Sequence, residues 1–169
     1  MPAFGLTSQS VPNPSTSSPE VIDESTPWIA ASDGDINLLQ RSIQTLNLSI
    51  NAADSNGFTF LHSASSYGQL DMIRWLLSQQ VTDVNVKDSD GDTPLHHCDD
   101  VITAKLLVQE GKADFSLRNN DGKTALEVKE EEFLDNDNME DDDSSGDTEN
   151  LKDLIQYLKG VSNGTALMQ

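Results

Sequence analysis

The sequence predicts an all-α fold, a short solenoid in which each unit is a β-turn followed by two helices and the units stack in a row. Three observations predict it. The stretch Asp88–His96 (Asp-Ser-Asp-Gly-Asp-Thr-Pro-Leu-His) has a looser copy 34 residues upstream at Asp54–His62, and a third copy begins 31 residues downstream at Asn119–Leu126. Gly57, Gly91 and Gly122 each stand three residues after an Asp or Asn and two before a Thr, the chemistry of a tight turn that hands over to a capped helix. Apolar residues between the turns recur at helical spacing, as at Leu70, Ile73, Leu76 and Leu77. A period near 33 marks units that bury their apolar faces only against a neighbour.

Residues 1–22 are rich in Ser, Pro and Thr and short of apolar side chains. Such a segment cannot offset its ordering entropy by burial, so a disordered tail is expected. The first repeat, about 23–53, aligns Trp28–Asp35 with His62–Gln69; Gly34 is placed to end its inner helix in a left-handed conformation. Thr26-Pro27 mimics the repeat's Thr-Pro but sits one residue late, and Trp28 stands where repeats two and three carry His. An outer helix is expected near Ile36–Leu46. The second repeat, about 54–87, is the most regular, with helices near Thr59–Tyr67 and Leu70–Gln79. The third, about 88–118, is clipped: nine residues separate His96 from Leu106-Leu107, where repeat two has twelve between His62 and Trp75-Leu76. The missing residues are those of the turn between the helices. An Asp is therefore expected to cap the outer helix Val101–Glu110, and the shortened unit should leave a notch. The fourth repeat, about 119–160, opens with a helix to about Leu134. A disordered acidic loop, the insertion 135–149, is expected to follow it, then an amphipathic helix near Asn150–Lys159 with Thr148 or Asp147 as cap and Gly160 as stop. Residues 161–169 are expected to fray.

The period and Thr93-Pro94-Leu95-His96 together resemble the ankyrin repeat, over roughly residues 23–160. The resemblance implies that the Thr and His hold the start of the inner helix by side-chain hydrogen bonds while Leu packs in the core. It also implies a protein-binding role, carried by turn tips and inner-helix surfaces along a concave groove. On that alignment the contact residues are Phe58, Asp90, Asp92, Asp121 and Lys123 at the tips and Tyr67, His97, Asp99 and Asp100 on the inner surface. Trp28, Phe58 and Tyr67 are the expected anchors, because aromatic side chains dominate interface hot spots.

Composition narrows the partner. With 29 acidic against 10 basic residues the chain carries −19, which disfavours nucleic acid and anionic membranes and attracts basic proteins. Residues 127–149 supply −11 of that charge. One cysteine, Cys98, excludes an internal disulfide and fits a reducing compartment. No apolar run approaches a membrane span or a secretory signal; a cytoplasmic or nuclear monomer is expected.

Catalytic arrangements are missing from the sequence: no nucleophile elbow, no phosphate loop, no His-Glu-x-x-His. His96-His97-Cys98-Asp99-Asp100 is not a metal site on sequence grounds, because consecutive residues do not converge on one tetrahedral ion. Asp88-x-Asp90-x-Asp92 opens like a calcium loop, but Thr93 and Asp99 stand where glycine and glutamate are required. No cofactor or metal is expected. Ser144, three residues before Asp147, suits an acidic-directed kinase. The leading reading is a non-enzymatic adaptor or scaffold for a partner with a basic surface; the alternative is a holding chaperone for a basic protein such as a ribosomal protein or histone.

Overall fold

The computed structural model describes residues 21–137 and 145–164. The predicted tail, apart from Val21 and Ile22, lies outside the described residues, as do Ser144 and residues 165–169. Among the described residues the elements are helical: α1 (Thr26–Asp33), α2 (Ile36–Leu46), α3 (Phe60–Ser66), α4 (Leu70–Ser78), α5 (Val101–Lys105) running on as a π-helical turn (Leu106–Glu110), α6 (Ala125–Asp137) and α7 (Ser145–Ser162).

The three glycine turns are built alike. Oδ1 of Asp54 accepts from the amides of Asn56 and Phe58 (2.8 and 2.9 Å); Asp88 does the same for Asp90 and Asp92 (3.0 and 2.9 Å) and Asn119 for Asp121 and Lys123 (3.1 and 3.0 Å). Gly57, Gly91 and Gly122 all take positive φ, 76°, 78° and 75°. Each turn is thus a finger closed by its own leading carboxylate or amide. Fingers are tied in series: the Ser89 amide donates to the Asn56 carbonyl at 2.8 Å, and the Asn120 amide donates to the Asp90 carbonyl at 2.9 Å. That even ladder places the glycines along one rim, as the solenoid requires.

The inner helices start from the fingers. Thr59 caps α3 reciprocally with His62: Thr59 N–H donates to His62 Nδ1 at 3.1 Å, and Thr59 Oγ1 accepts from the His62 amide. His62 Nε2 then reaches the Asp92 carbonyl of the next finger at 3.1 Å, and His96 Nε2 reaches the Lys123 carbonyl at 3.2 Å. In repeat one Trp28 does this job with an indole, Nε1–H donating to the Phe58 carbonyl at 2.7 Å. In repeat four a carboxylate replaces the ring: Glu127 accepts from the Thr124 amide at 2.7 Å, an ordinary capping box. One apolar cluster runs from Ala30 and Ala31 through Phe60, Met72, Leu76, Leu95 and Leu107 to Leu154, Leu158 and Val161.

Repeat three has only a turn, Pro94–His97, where repeats one and two have an inner helix. Its outer helix starts where expected, with Asp100 Oδ1 accepting from the amides of Ile102 and Thr103 at 2.8 Å each. The C-terminal helices differ from expectation. α6 continues to Asp137, and α7 begins at Ser145, so Asp147 and Thr148 lie inside it rather than capping it. Gly160 does not stop α7 either. Val161 beyond it is 1% exposed in the core, and that burial carries the helix on to Ser162, where fraying was expected.

Candidate functional site

The predicted contact residues fall into three settings. Trp28, Phe58 and His97 are half-buried and already occupied. The Trp28 ring lies 5.0 Å from Phe60. Phe58, expected to stand free at a finger tip, is packed between two imidazoles, 5.1 Å from the His62 ring and 5.1 Å from the His97 ring. His97 Nε2 lies 2.8 Å from Asp88 Oδ2. Burial pushes the Asp88 carboxyl up, but hydrogen bonds from His97 and from the amides of Asp92 and Asp90 outweigh it and hold the group below the usual carboxylate range.

His62, Asp88 and His97 bring their ligand atoms within 4.8 Å of one another, a convergence that the sequence could not show. The donor set does not suit a metal. His62 Nδ1 accepts from the Thr59 amide, so Nε2 carries the proton that it gives to the Asp92 carbonyl. Both nitrogens are committed, and metal binding there would break at least one of these bonds.

The finger residues divide. Asp90 and Asp121 are exposed. Asp92 accepts from Asn119 Nδ2 at 2.9 Å, and Lys123 pairs with Glu131 of α6. Asp92 thereby braces the neighbouring finger, and Lys123 ties the last finger to α6.

The third setting is the notch. Tyr67 closes α3 with 67% of its surface exposed. Gly68 follows at φ 62°, and a Cβ there would stand 3.2 Å from Asp100 Oδ2. Only glycine therefore combines the left-handed turn with so close an approach of the clipped repeat. The result is a cleft of about 520 Å³ lined by Ser66, Tyr67, Gly68, Asp99, Asp100, Glu132, Asn150 and Leu151. It gathers Tyr67, Asp99 and Asp100, three of the residues expected on the inner surface.

Lys129, 5% exposed and not itself a lining residue, holds two that are, Asp99 at 2.8 Å and Glu132 at 2.9 Å. Burial alone would lower its pKa; the two carboxylates overcome that and raise it. Asp100 is spent on capping and on the Thr103 hydroxyl, which donates to Oδ2 at 2.6 Å. Sequence reasoning missed Lys129, Glu132, Asn150 and Leu151. They stand 30 or more residues from Asp99 along the chain and arrive through α6 and α7, which carry no repeat signature. A period search has no purchase on them.

Comparison with known proteins fits this geometry. A family model described as ankyrin repeats in three copies matches residues 28–99, and the single ankyrin repeat matches residues 90–120. The chain is 41% identical over 103 residues to an ankyrin repeat-containing protein of Schizosaccharomyces pombe, covering 61% of this chain and 49% of that protein. It is 33% identical over 101 residues to the RelA-associated inhibitor of Mus musculus, covering 58% of this chain and 12% of that protein. Protein phosphatase 1 regulatory subunit 12A of the same organism is 38% identical over 82 residues, 47% of this chain and 8% of that protein. The chain thus spans about half the length of the yeast relative and a small part of the other two. The matched models, together covering residues 28–120, coincide with the finger ladder and its inner helices, and the chain belongs to the ankyrin-repeat family.

Proposed function

We propose that the chain is a non-enzymatic adaptor that docks a basic segment of a partner protein on its fingers and inner surface, with the notch as the point of recognition. The observation that carries this reading is the cleft lined by exposed Tyr67 together with Asp99, Asp100 and Glu132, three carboxylates against the single ammonium of Lys129. An aromatic face beside carboxylates suits a lysine or arginine side chain by cation–π attraction and charge. Exposed Asp90 and Asp121 extend the acidic surface along the rim, and charge of this kind acts mainly on association rate and selectivity. Two relatives named as a regulatory subunit and an inhibitor favour an adaptor over a holding chaperone. The burial that pushes the Cys98 thiol up leaves it inert, which suits a reducing cytoplasmic or nuclear setting.

The test is a photo-crosslinker placed at position 67 in cells. Under this reading the captured proteins are enriched in basic ones, and titrated fragments of them bind at least about tenfold more weakly to Tyr67→Ala, the loss typical of a hot-spot residue. An adaptor retains that affinity when 138–144 is deleted; a chaperone acting through its acidic run loses it. Crosslinks with no basic bias, or affinity indifferent to Tyr67→Ala, would exclude the notch.

A further inference from the structure

Two dipeptides with the same chemistry meet different surroundings in this fold. Of the chain's asparagines only Asn56 and Asn163 are followed by glycine. In such a pair the glycine nitrogen can attack the asparagine side-chain amide carbon, because no Cβ on the second residue obstructs the approach. The two nitrogens are held alike. Gly57 N–H donates to the Asp54 carbonyl and Gly164 N–H to the Val161 carbonyl, at 3.0 Å each, and the glycines take φ 76° and 72°. What differs is what must move. To bring the glycine nitrogen onto Cγ, the peptide plane joining the two residues has to rotate out of its turn. At Asn56 that plane belongs to the finger ladder: its carbonyl accepts from the Ser89 amide at 2.8 Å, and the Asn56 amide is held by Asp54 Oδ1 at 2.8 Å. Gly57 lies so close to the next finger that a Cβ on it would stand 3.0 Å from the Asp88 Cα. Asn163 is exposed just beyond the last turn of α7, and a Cβ on Gly164 would meet nothing within 4 Å among the described residues. Rotation there gives up the bond to Val161, with open space around the glycine.

We propose that Asn163-Gly164 is a site of spontaneous deamidation in the folded chain, and that the finger ladder closes the same reaction at Asn56-Gly57. The Gly164 nitrogen gives its proton to water and forms a bond to Asn163 Cγ. Nδ2 takes up a proton and leaves as ammonia, and a cyclic imide remains. Water then opens the imide at either carbonyl. Opening at the backbone carbonyl gives isoaspartate, in which the chain runs through Cγ and is one carbon longer; opening at Cγ gives Asp. Nothing is oxidised or reduced. Either product sets a carboxylate at the C-terminus of α7, where the helix dipole disfavours it. Isoaspartate also displaces the left-handed glycine that caps the helix. Val161, two residues before Asn163, is 1% exposed in the core, so the modification loosens a helix end that the core holds.

The test is to age the full chain at mildly alkaline pH, folded and in concentrated urea, and to follow both peptides by mass spectrometry, with isoaspartate methyltransferase labelling to separate the two products. In urea the pairs should convert at similar rates. In the folded chain Asn163 should keep most of its unfolded rate, while Asn56 slows at least about tenfold, as expected of a reaction that waits on local opening. Ser89→Pro removes the ladder N–H, and Ser89 stands second in the turn Asp88–Gly91, where proline is favoured. This variant should speed Asn56 and leave Asn163 unchanged. The unsubstituted chain in urea below its unfolding transition should show the same selective gain, a readout that needs no variant to fold. Hydrogen exchange at Val161 should quicken in chains modified at Asn163. Equal folded rates at the two sites overturn the proposal, as does an Asn163 that reacts in urea but not in the folded chain. So does an Asn56 that neither Ser89→Pro nor low urea speeds.

Discussion

Trp28 and His62 show how one backbone need is met by two different rings. Each sends a ring N–H into a carbonyl of the following finger, Phe58 at 2.7 Å and Asp92 at 3.1 Å. The sequence showed Trp28 only as a departure from the motif; its equivalence rests on a hydrogen bond whose acceptor lies 30 residues away, beyond what spacing reveals. Trp28→Phe keeps most of the apolar volume but strands the Phe58 carbonyl, and should cost about 1–2 kcal/mol in denaturant unfolding. Trp28→His restores a donor and should cost less than the Phe variant, although it is smaller; the reverse order would make packing, not the bond, the reason for Trp. The buried histidines give a pH signature. Burial lowers the pKa of His62 and of His96 below 6.5, so the unfolded chain binds protons that the folded chain refuses. Their contribution is complete above pH 6.5 and is lost as pH falls from there toward the depressed folded values, with a slope of up to about 1.4 kcal/mol per pH unit per group. His62→Gln should flatten the fall in stability measured between about pH 7 and pH 5; an unchanged slope would assign the acid sensitivity elsewhere.

At the scale of elements the fingers and the clipped repeat behave differently under substitution. All three finger glycines share a left-handed φ, but their surroundings differ. A Cβ on Gly91 would lie 2.8 Å from the Asn120 amide nitrogen, whereas one on Gly122 would meet nothing within 4 Å. Gly122→Ala should therefore cost only the left-handed penalty, about 1–2 kcal/mol. Gly91→Ala must also push the next finger away and should cost clearly more in the same unfolding experiment. Equal costs would mean that the finger ladder yields freely. The fingers, the first two helix pairs and the shortened third unit were legible because glycine, Asp and Thr mark them chemically and the three-residue deficit before Leu106 could be counted. The extent of α7 was not. Acidic residues and Gly160 read as insertion and stop, while the burial of Val161 and the packing of α7 on α5, which sustain the helix, are tertiary facts. The notch was legible as a gap and illegible as a site, since three of its eight lining residues, Glu132, Asn150 and Leu151, come from α6 and α7.

The molecule as a whole is under electrostatic strain that its ion pairs only partly relieve. Nineteen net negative charges sit on a chain with ten cations. Among the described residues the pairs that use those cations are mostly at the surface: Arg118–Glu127, Lys123–Glu131 and Lys159–Glu130 all involve side chains that are at least about a third exposed. Exposed pairs of this kind contribute about 0–1 kcal/mol each and are screened by salt. Lys129, with a side chain 6% exposed, is better shielded from salt. Repulsion among the surplus carboxylates acts over longer distances and is screened more completely. Raising sodium chloride from about 20 to about 300 mM shortens the Debye length from about 20 Å to about 6 Å. That change removes more repulsion between fingers, notch and α6 than it removes attraction within contact pairs. Thermal unfolding followed by circular dichroism should therefore show Tm rising by about 2–4 °C, the shift expected for stabilisation of the order of 1 kcal/mol in a domain of this size. Lys129→Met, which frees Asp99 and Glu132 and makes the net charge one unit more negative, should steepen that salt dependence. A Tm that falls with salt would show that the contact pairs, not the surplus of carboxylates, govern the stability of the array.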